Sequence, residues 1–83
     1  MFKTVNFTGT AENSRGVLAA NIIDYRKERG ISRECFAEIC DISQRHVTDI
    51  EKCRTTITID TLDKIAAGTH LHTTYWLTVH TKE

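Results

Sequence analysis

The chain contains no proline, and only four of its 83 residues are glycine. Both residues break helices, and each glycine falls at or near a position where a helix can end, so the composition favours an all-helical fold. No stretch approaches the roughly 18 consecutive apolar residues that a membrane span needs. The first residues also lack the apolar core of ~7 to 15 residues that a secretory signal has. We therefore expect a cytoplasmic protein that does not bind membranes.

An excess of charge of one sign is also missing, because 11 basic residues balance 11 acidic ones. No overall field attracts the chain to nucleic acid or to an anionic membrane, so any affinity for DNA has to come from the local arrangement of side chains. With 40% hydrophobic and 27% charged residues, the composition is that of an ordinary globular domain. The length suits one domain around one small core.

Cysteine occurs three times, at Cys35, Cys40 and Cys53. An odd number without a secretory signal argues against a disulfide framework, so we expect free thiols, with Cys40 in the core and the other two nearer the surface. Together with His46 the cysteines have the spacing C-x4-C-x5-H-x6-C, which matches no common zinc pattern. The chain also has no Gly-rich phosphate loop. We expect no metal, no cofactor and no enzymatic activity.

Helical periodicity begins soon after the N-terminus. Apolar residues recur at i, i+4 and i+7, at Leu18, Ile22 and Tyr25. Asn13 or Ser14 can cap this first helix at its start, and Gly30 can end it. Residues 1–13 precede it as an N-terminal arm, in which residues 2–10 have a loosely β-like composition. We therefore divide the chain into an arm, 1–13, and a helical domain, 14–83.

Two short helices should follow, capped by Ser32 and Ser43. The second has an inward pair, Val47 and Ile50, and a polar outer face. Two short helices joined by a tight turn, the second polar outside, are what a helix-turn-helix requires. Ala37 is small enough for two helices to cross closely. Asp41 suits the left-handed conformation of the turn, which aspartate enters more readily than most residues.

The C-terminal part predicts two more helices. The fourth starts at Asp60 or Thr61 and stops near Gly68. The fifth is short and folds back onto the core with its apolar residues, which are Leu71, Tyr75, Trp76 and Leu77. We expect Trp76 to point inward.

The order and spacing of residues between Ile22 and Leu77 form a combined pattern. The residues that carry it are Ile22, Tyr25, Arg26, Gly30, Ile31, Ser32, Arg33, Glu34, Phe36, Ala37, Glu38, Ile42, Ser43, Gln44, Val47, Thr48, Asp49, Ile50, Glu51, Thr61, Leu62, Ile65, Ala66, Trp76 and Leu77. This pattern resembles the XRE family of DNA-binding domains, which contains the Cro and CI repressors of lambdoid phages. The resemblance implies a compact, all-α, five-helix lambda-repressor-like domain with the helix-turn-helix at helices 2 and 3 and a short N-terminal arm. It also implies that Arg26 pairs with Glu51 as a structural link between helices 1 and 3.

The chain departs from the family pattern at several helix ends. Asp41 stands where the family usually has glycine in the turn, and Cys53 where it usually has glycine after helix 3. At the end of helix 4, Thr69-His70 replaces the usual Leu-Gly. Arg33 replaces the glutamine common near the start of helix 2, and its full charge suits a phosphate contact.

The outward residues in the first turns of helix 3 are the expected base contacts, namely Gln44, Arg45, Thr48 and Asp49. Arginine can donate two hydrogen bonds to guanine, and glutamine can form the corresponding pair of hydrogen bonds with adenine. Thr48 can touch a thymine methyl, whereas Asp49 can accept from cytosine or pair with Arg45 one turn back. We expect phosphate contacts from Arg33, Ser43, Lys52, Arg54, Thr55 and Thr56.

The leading hypothesis is a sequence-specific transcriptional regulator that binds double-stranded DNA. We expect a small repressor or controller-type protein of a phage or mobile element, acting as a homodimer through its C-terminal helix on a pseudopalindromic operator. Two alternatives stay open: the antitoxin of a toxin-antitoxin pair, with a toxin as partner, and a protein interaction module on the same fold.

Overall fold

Five helices make up the part of the protein that the computed structural model describes, residues 14–80. They are α1 (Ser14–Arg29), α2 (Arg33–Cys40), α3 (Gln44–Glu51), α4 (Ile59–Thr69) and α5 (Thr73–Trp76). Within residues 14–80 there is no strand, and the predicted all-α, five-helix domain is confirmed. The predicted arm, 1–13, lies outside the described residues.

Helix α1 ends as predicted, whereas one of its two candidate caps is wrong. Ser14 is already helical, so it is not the residue before the helix, and Asn13 lies outside the described residues. At the other end Gly30 adopts a left-handed conformation with φ 64°. The N–H of Ile31 then donates to the Arg26 carbonyl at 3.0 Å, which satisfies an acceptor at the end of the helix.

Helices α2 and α3 begin at the predicted caps and are joined by the predicted turn. The Ser32 hydroxyl accepts from the N–H of Cys35, and the Ser43 hydroxyl from that of His46, both at 3.0 Å. Between the helices, Asp41 is left-handed with φ 59° and ψ 44°. Its N–H donates to the carbonyl of Glu38 at 3.3 Å. The helix-turn-helix is therefore closed by local hydrogen bonds.

Helix α4 starts earlier than predicted. The cap is Thr58, whose hydroxyl accepts from the N–H of Thr61 at 3.1 Å, and not Asp60 or Thr61 itself. Asp60 lies in the first turn instead, where a negative charge stabilises the helix N-terminus. The helix also continues to Thr69 and ends at His70, which is left-handed with φ 60°.

Helix α4 ends one residue after Gly68, close to the predicted stop, but this glycine is a packing residue and not the cap. A β-carbon at this position would overlap the Ile39 carbonyl group and approach Cys40 Cα to 2.9 Å. The absence of a side chain therefore lets α4 lie directly against the end of α2. Close approach of backbones is the second use of glycine besides left-handed turns.

The core joins all five helices. Its buried members are Leu18, Ile22, Tyr25, Phe36, Ala37, Cys40, Val47, Ile50, Ile65 and Trp76. As expected, Cys40 is buried, Cys35 is half-buried and Cys53 is exposed. Burial raises the pKa of the Cys40 thiol to about 12, so this cysteine stays protonated at neutral pH.

Helix α5 is held on the core by Trp76 and by one buried amide. As expected, Trp76 points inward, and its ring centroid lies 5.5 Å from that of Tyr25. The side-chain nitrogen of Asn21 on α1 lies 2.9 Å from the carbonyl oxygen of Trp76 and 3.0 Å from that of Thr78. Because this buried amide satisfies backbone groups at the helix end, it fixes the C-terminal segment on α1.

Candidate nucleic-acid interface

Helix α3 has two opposite faces with different environments. Val47, Ile50 and Glu51 are buried against the rest of the domain. Gln44 and Arg45 are exposed, and Thr48 and Asp49 are half-exposed. All four predicted base contacts therefore lie on the accessible part of an eight-residue helix whose inner face is fixed.

Glu51 accepts hydrogen bonds from two arginines on two other elements. Arg26 on α1 donates through Nε to Oε2 at 2.7 Å and through a terminal nitrogen to Oε1 at 3.0 Å. Arg33 on α2 donates through Nε to Oε1 at 2.9 Å. The Arg26–Glu51 contact implied by the family resemblance is thus present as a two-bond fork, and a second arginine joins it.

The charge state of Glu51 follows from these contacts. Burial raises the pKa of its carboxyl group, but the hydrogen bonds and positive charges of Arg26 and Arg33 outweigh that effect and lower the pKa below its ordinary value. The carboxylate therefore stays ionised and links α1, α2 and α3 through one charge. The contact of Arg33 with Glu51 was not predicted, since the expected partner of Arg33 was a phosphate.

Arg33 nevertheless remains accessible. Its side chain is 37% exposed, and the hydrogen bond to Glu51 uses Nε. Ser43 is similar, because its oxygen accepts from a backbone N–H while its hydroxyl proton can still be donated. Both residues flank the start of a helix in the helix-turn-helix, where phosphates bind favourably.

Thr48 uses its hydroxyl within the helix. Its Oγ1 lies 3.1 Å from the Gln44 carbonyl oxygen, to which it donates. This back-bond engages the hydroxyl proton and leaves the methyl group for apolar contacts. The arrangement suits the predicted contact with a thymine methyl.

Asp49 lies between two arginines. Its Oδ2 is 3.9 Å from Arg45 Nε, one turn earlier on α3, and its Oδ1 is 3.3 Å from a terminal nitrogen of Arg54, beyond the end of the helix. Of the two uses that the sequence left open for Asp49, the structure brings Asp49 and Arg45 together. The contact with Arg54 was not predicted.

Cys53 has a left-handed backbone conformation with φ 57°, at the position where the family pattern usually has glycine. Lys52 before it is the C-cap residue of α3 and is exposed. After Cys53, the backbone N–H of Arg54 donates to the Asp49 carbonyl at 2.8 Å. The chain therefore turns back toward α3.

A basic residue of α1 that was not predicted lies against the segment between α3 and α4. Arg15, at the start of α1, donates to the Thr56 hydroxyl at 3.3 Å. Thr56 is exposed and Thr55 half-exposed. The two contacting residues are 41 positions apart, so no local pattern connects them. Arg15 thus lies beside the predicted phosphate contacts of this segment.

Between residues 14 and 80, no three His, Cys, Asp or Glu side chains are grouped so that they could hold a metal ion. Nor does this part of the chain include a helix with the length and apolar character needed to cross a membrane.

Comparison with known proteins gives one family and similar solved structures. The sequence profile of the HTH_3 family, described as helix-turn-helix, matches residues 22–76. No curated protein matches the chain. The hypothetical transcription factor NHTF from Neisseria is 25% identical, with a TM-score of 0.73, over 93% of this chain and 86% of that one. An HTH_3 family transcriptional regulator from Vibrio cholerae is 28% identical, with a TM-score of 0.72, over 81% of this chain and 38% of that one.

Proposed function

The chain belongs to the helix-turn-helix family HTH_3, and on that premise we propose that it is a transcriptional regulator that binds double-stranded DNA in a sequence-specific manner. The observation that carries this proposal is the division of α3 into a buried inner face and an accessible polar outer face. Both similar structures bear names of transcription factors or regulators, which agrees with it.

In this proposal the outer face of α3 enters the major groove. Arg45 donates to guanine, Gln44 to adenine, and Thr48 contacts a thymine methyl. The Arg45 side chain is 91% exposed, so it can extend to a base edge. Val47, Ile50 and Glu51 pack against the rest of the domain and fix the position of α3. The outer side chains of α3 are therefore held in a defined position relative to the DNA.

Phosphate contacts surround this face. The proposed set is Arg33, Ser43, Lys52, Arg54, Thr55 and Thr56, and Arg15 joins it because it contacts Thr56. Four of these side chains are positively charged. Neutralising one phosphate each would give a log-log salt slope of roughly −3 to −4 per protomer. A local cluster of this kind provides DNA affinity to a chain with no net charge.

We further propose that the helical domain, 14–83, acts in the cytoplasm as a homodimer. Leu77 and Val79 are exposed apolar residues directly after α5, and they favour a dimer contact through the C-terminal helix. A two-fold dimer would bind a pseudopalindromic operator with half-sites about one helical turn apart. Occupying a promoter in this way would make the protein a repressor or controller of the phage or mobile-element type.

The test is selection of bound duplexes from a random pool at moderate salt. The wild type is compared with Arg45→Ala and with Arg29→Ala, a control that removes the same side chain from the end of α1, where it stacks on Tyr25. We expect an enriched motif with two related half-sites, lost with Arg45→Ala and kept with Arg29→Ala. A single half-site would contradict the dimer.

Two results would replace the proposal. Absence of enrichment together with salt-independent binding would indicate a protein interaction module, since real phosphate contacts give salt dependence. Co-purification with a small toxic protein would indicate an antitoxin.

A further inference from the structure

The carboxylate of Asp49 is shared by two arginines on the surface proposed to face DNA. Arg45 reaches it from one helical turn earlier, with its Nε at 3.9 Å, and Arg54 reaches it from beyond the helix end, at 3.3 Å. The Asp49 side chain is only 27% exposed, whereas those of Arg45 and Arg54 are 91% and 58% exposed. The carboxylate is thus the most buried member of the group, and the two arginines beside it are more accessible.

The backbone places Arg54 in this group. The left-handed Cys53 reverses the chain after α3, and the Arg54 N–H then donates to the Asp49 carbonyl at 2.8 Å. Residues 49 and 54 are therefore joined twice, once through the backbone and once through the side chains. A chance surface ion pair between flexible side chains would lack the first of these contacts.

A carboxylate on a DNA-binding surface has two opposite effects. It repels phosphates, which lowers the affinity for every duplex regardless of sequence. It also restricts the conformations of a neighbouring arginine, and a side chain ordered before binding loses less entropy when it pairs with a base. The first effect weakens non-specific binding and the second favours the correct base. Both effects raise the ratio of specific to non-specific affinity.

We propose that Asp49 is a positioning residue that sets the DNA specificity of this protein. It orients the Arg45 guanidinium for its base and holds Arg54 back from indiscriminate phosphate binding. The inference rests on the proposed function and deepens it, because it assigns selectivity to a residue that need not touch a base.

The test uses Asp49→Asn, which keeps the size of the side chain and removes the charge. Asp63→Asn is the matched control, because Asp63 is exposed on α4, away from the ion pairs of α3. Affinities are measured for the duplex that the wild type enriches and for a scrambled duplex of equal length, over a range of salt concentrations. Thermal unfolding of each variant is recorded in parallel.

We expect Asp49→Asn to lower the ratio of specific to non-specific affinity about tenfold. Its salt slope on the scrambled duplex should become steeper by about 0.9 per protomer, because Arg54 is released to neutralise one phosphate in each copy. Asp63→Asn should change neither quantity. Asp49→Glu, which keeps the negative charge, should retain a higher ratio than Asp49→Asn.

An unchanged ratio in Asp49→Asn would overturn the inference while leaving the proposed function intact. A parallel loss of both affinities with a lower melting temperature would assign Asp49 a structural role and would overturn it as well. If the wild type itself enriches no sequence, the proposed function fails, and the inference fails with it.

Discussion

Replacing Glu51 by glutamine removes one charge from the contact that joins α1, α2 and α3. The carboxylate accepts three hydrogen bonds from arginines, two from Arg26 and one from Arg33. Glutamine has nearly the same shape, so the packing is preserved. One of its two polar atoms, however, is a donor that faces a guanidinium.

The size of the loss in the free energy of unfolding depends on how deeply the ion pair is buried. Breaking a buried ion pair from one side costs about 3 to 5 kcal/mol, because the remaining charge is left without its partner. Here the side chains of Arg26 and Arg33 are 18% and 37% exposed, so water recovers part of the loss. We expect Glu51→Gln to lower the free energy of unfolding by about 2 to 3 kcal/mol at pH 7. In a domain of this size the melting temperature should fall by about 10 to 20 °C.

The effect should depend on pH with a definite sign. The pKa of Glu51 is lower in the folded protein than its ordinary value of 4.5. Its contribution to stability is therefore complete above that ordinary value and disappears as the pH falls through the lowered pKa. The difference between wild type and Glu51→Gln should accordingly begin to shrink as the pH falls below 4.5, where the unfolded carboxyl takes up a proton, and should be lost once the pH lies below the lowered pKa of the folded protein.

Urea unfolding followed by circular dichroism at pH 7, 5, 4 and 3 measures this difference. Glu38→Gln serves as the control, because Glu38 is exposed on α2. It should change the stability by less than about 0.5 kcal/mol. A loss below about 1 kcal/mol for Glu51→Gln, or a loss that stays constant down to pH 3, would refute the reasoning.

Two substitutions of small residues should have opposite signs. Gly68→Ala should destabilise the protein by about 1 to 3 kcal/mol, because the new methyl meets the backbone of Ile39 and Cys40. An exposed helix position would instead be stabilised by alanine, so a gain in stability would contradict the close approach of α4 to α2. Cys53→Gly should stabilise the protein by about 0.5 to 1 kcal/mol, since relief of the left-handed strain exceeds the added entropy of glycine. Urea unfolding measures both, and a neutral or negative effect of Cys53→Gly would show that no strain is stored there.

Local chemistry explains which helix boundaries were predicted correctly. Ser32 and Ser43 are each the only good capping residue directly before an apolar stripe, so both helix starts followed from the sequence. The start of α4 did not, because Thr58, Asp60 and Thr61 are all acceptable caps. Ile59, which is exposed, gives no inward pattern that would distinguish them.

Long-range contacts explain what the sequence could not show. Local rules place a helix end near Gly68, where α4 does end, but they do not show that this glycine lets α4 lie against the backbone of α2. The same holds at the proposed interface. The outward face of α3 was predicted from its periodicity. The contact of Arg54 with Asp49 was not, because it depends on the left-handed conformation of Cys53. The second partner of Glu51, Arg33, was also missed, because it lies on another helix.

The two faces of α3 have a consequence for how such a protein diversifies. Attachment to the domain depends on Val47, Ile50 and Glu51, whereas the exposed residues Gln44 and Arg45 contribute little to that attachment. Substitutions at the exposed positions can therefore accumulate at little thermodynamic cost. A duplicated copy of this chain could acquire a new target by a few exchanges on one side of eight residues, with the scaffold behind them inherited intact.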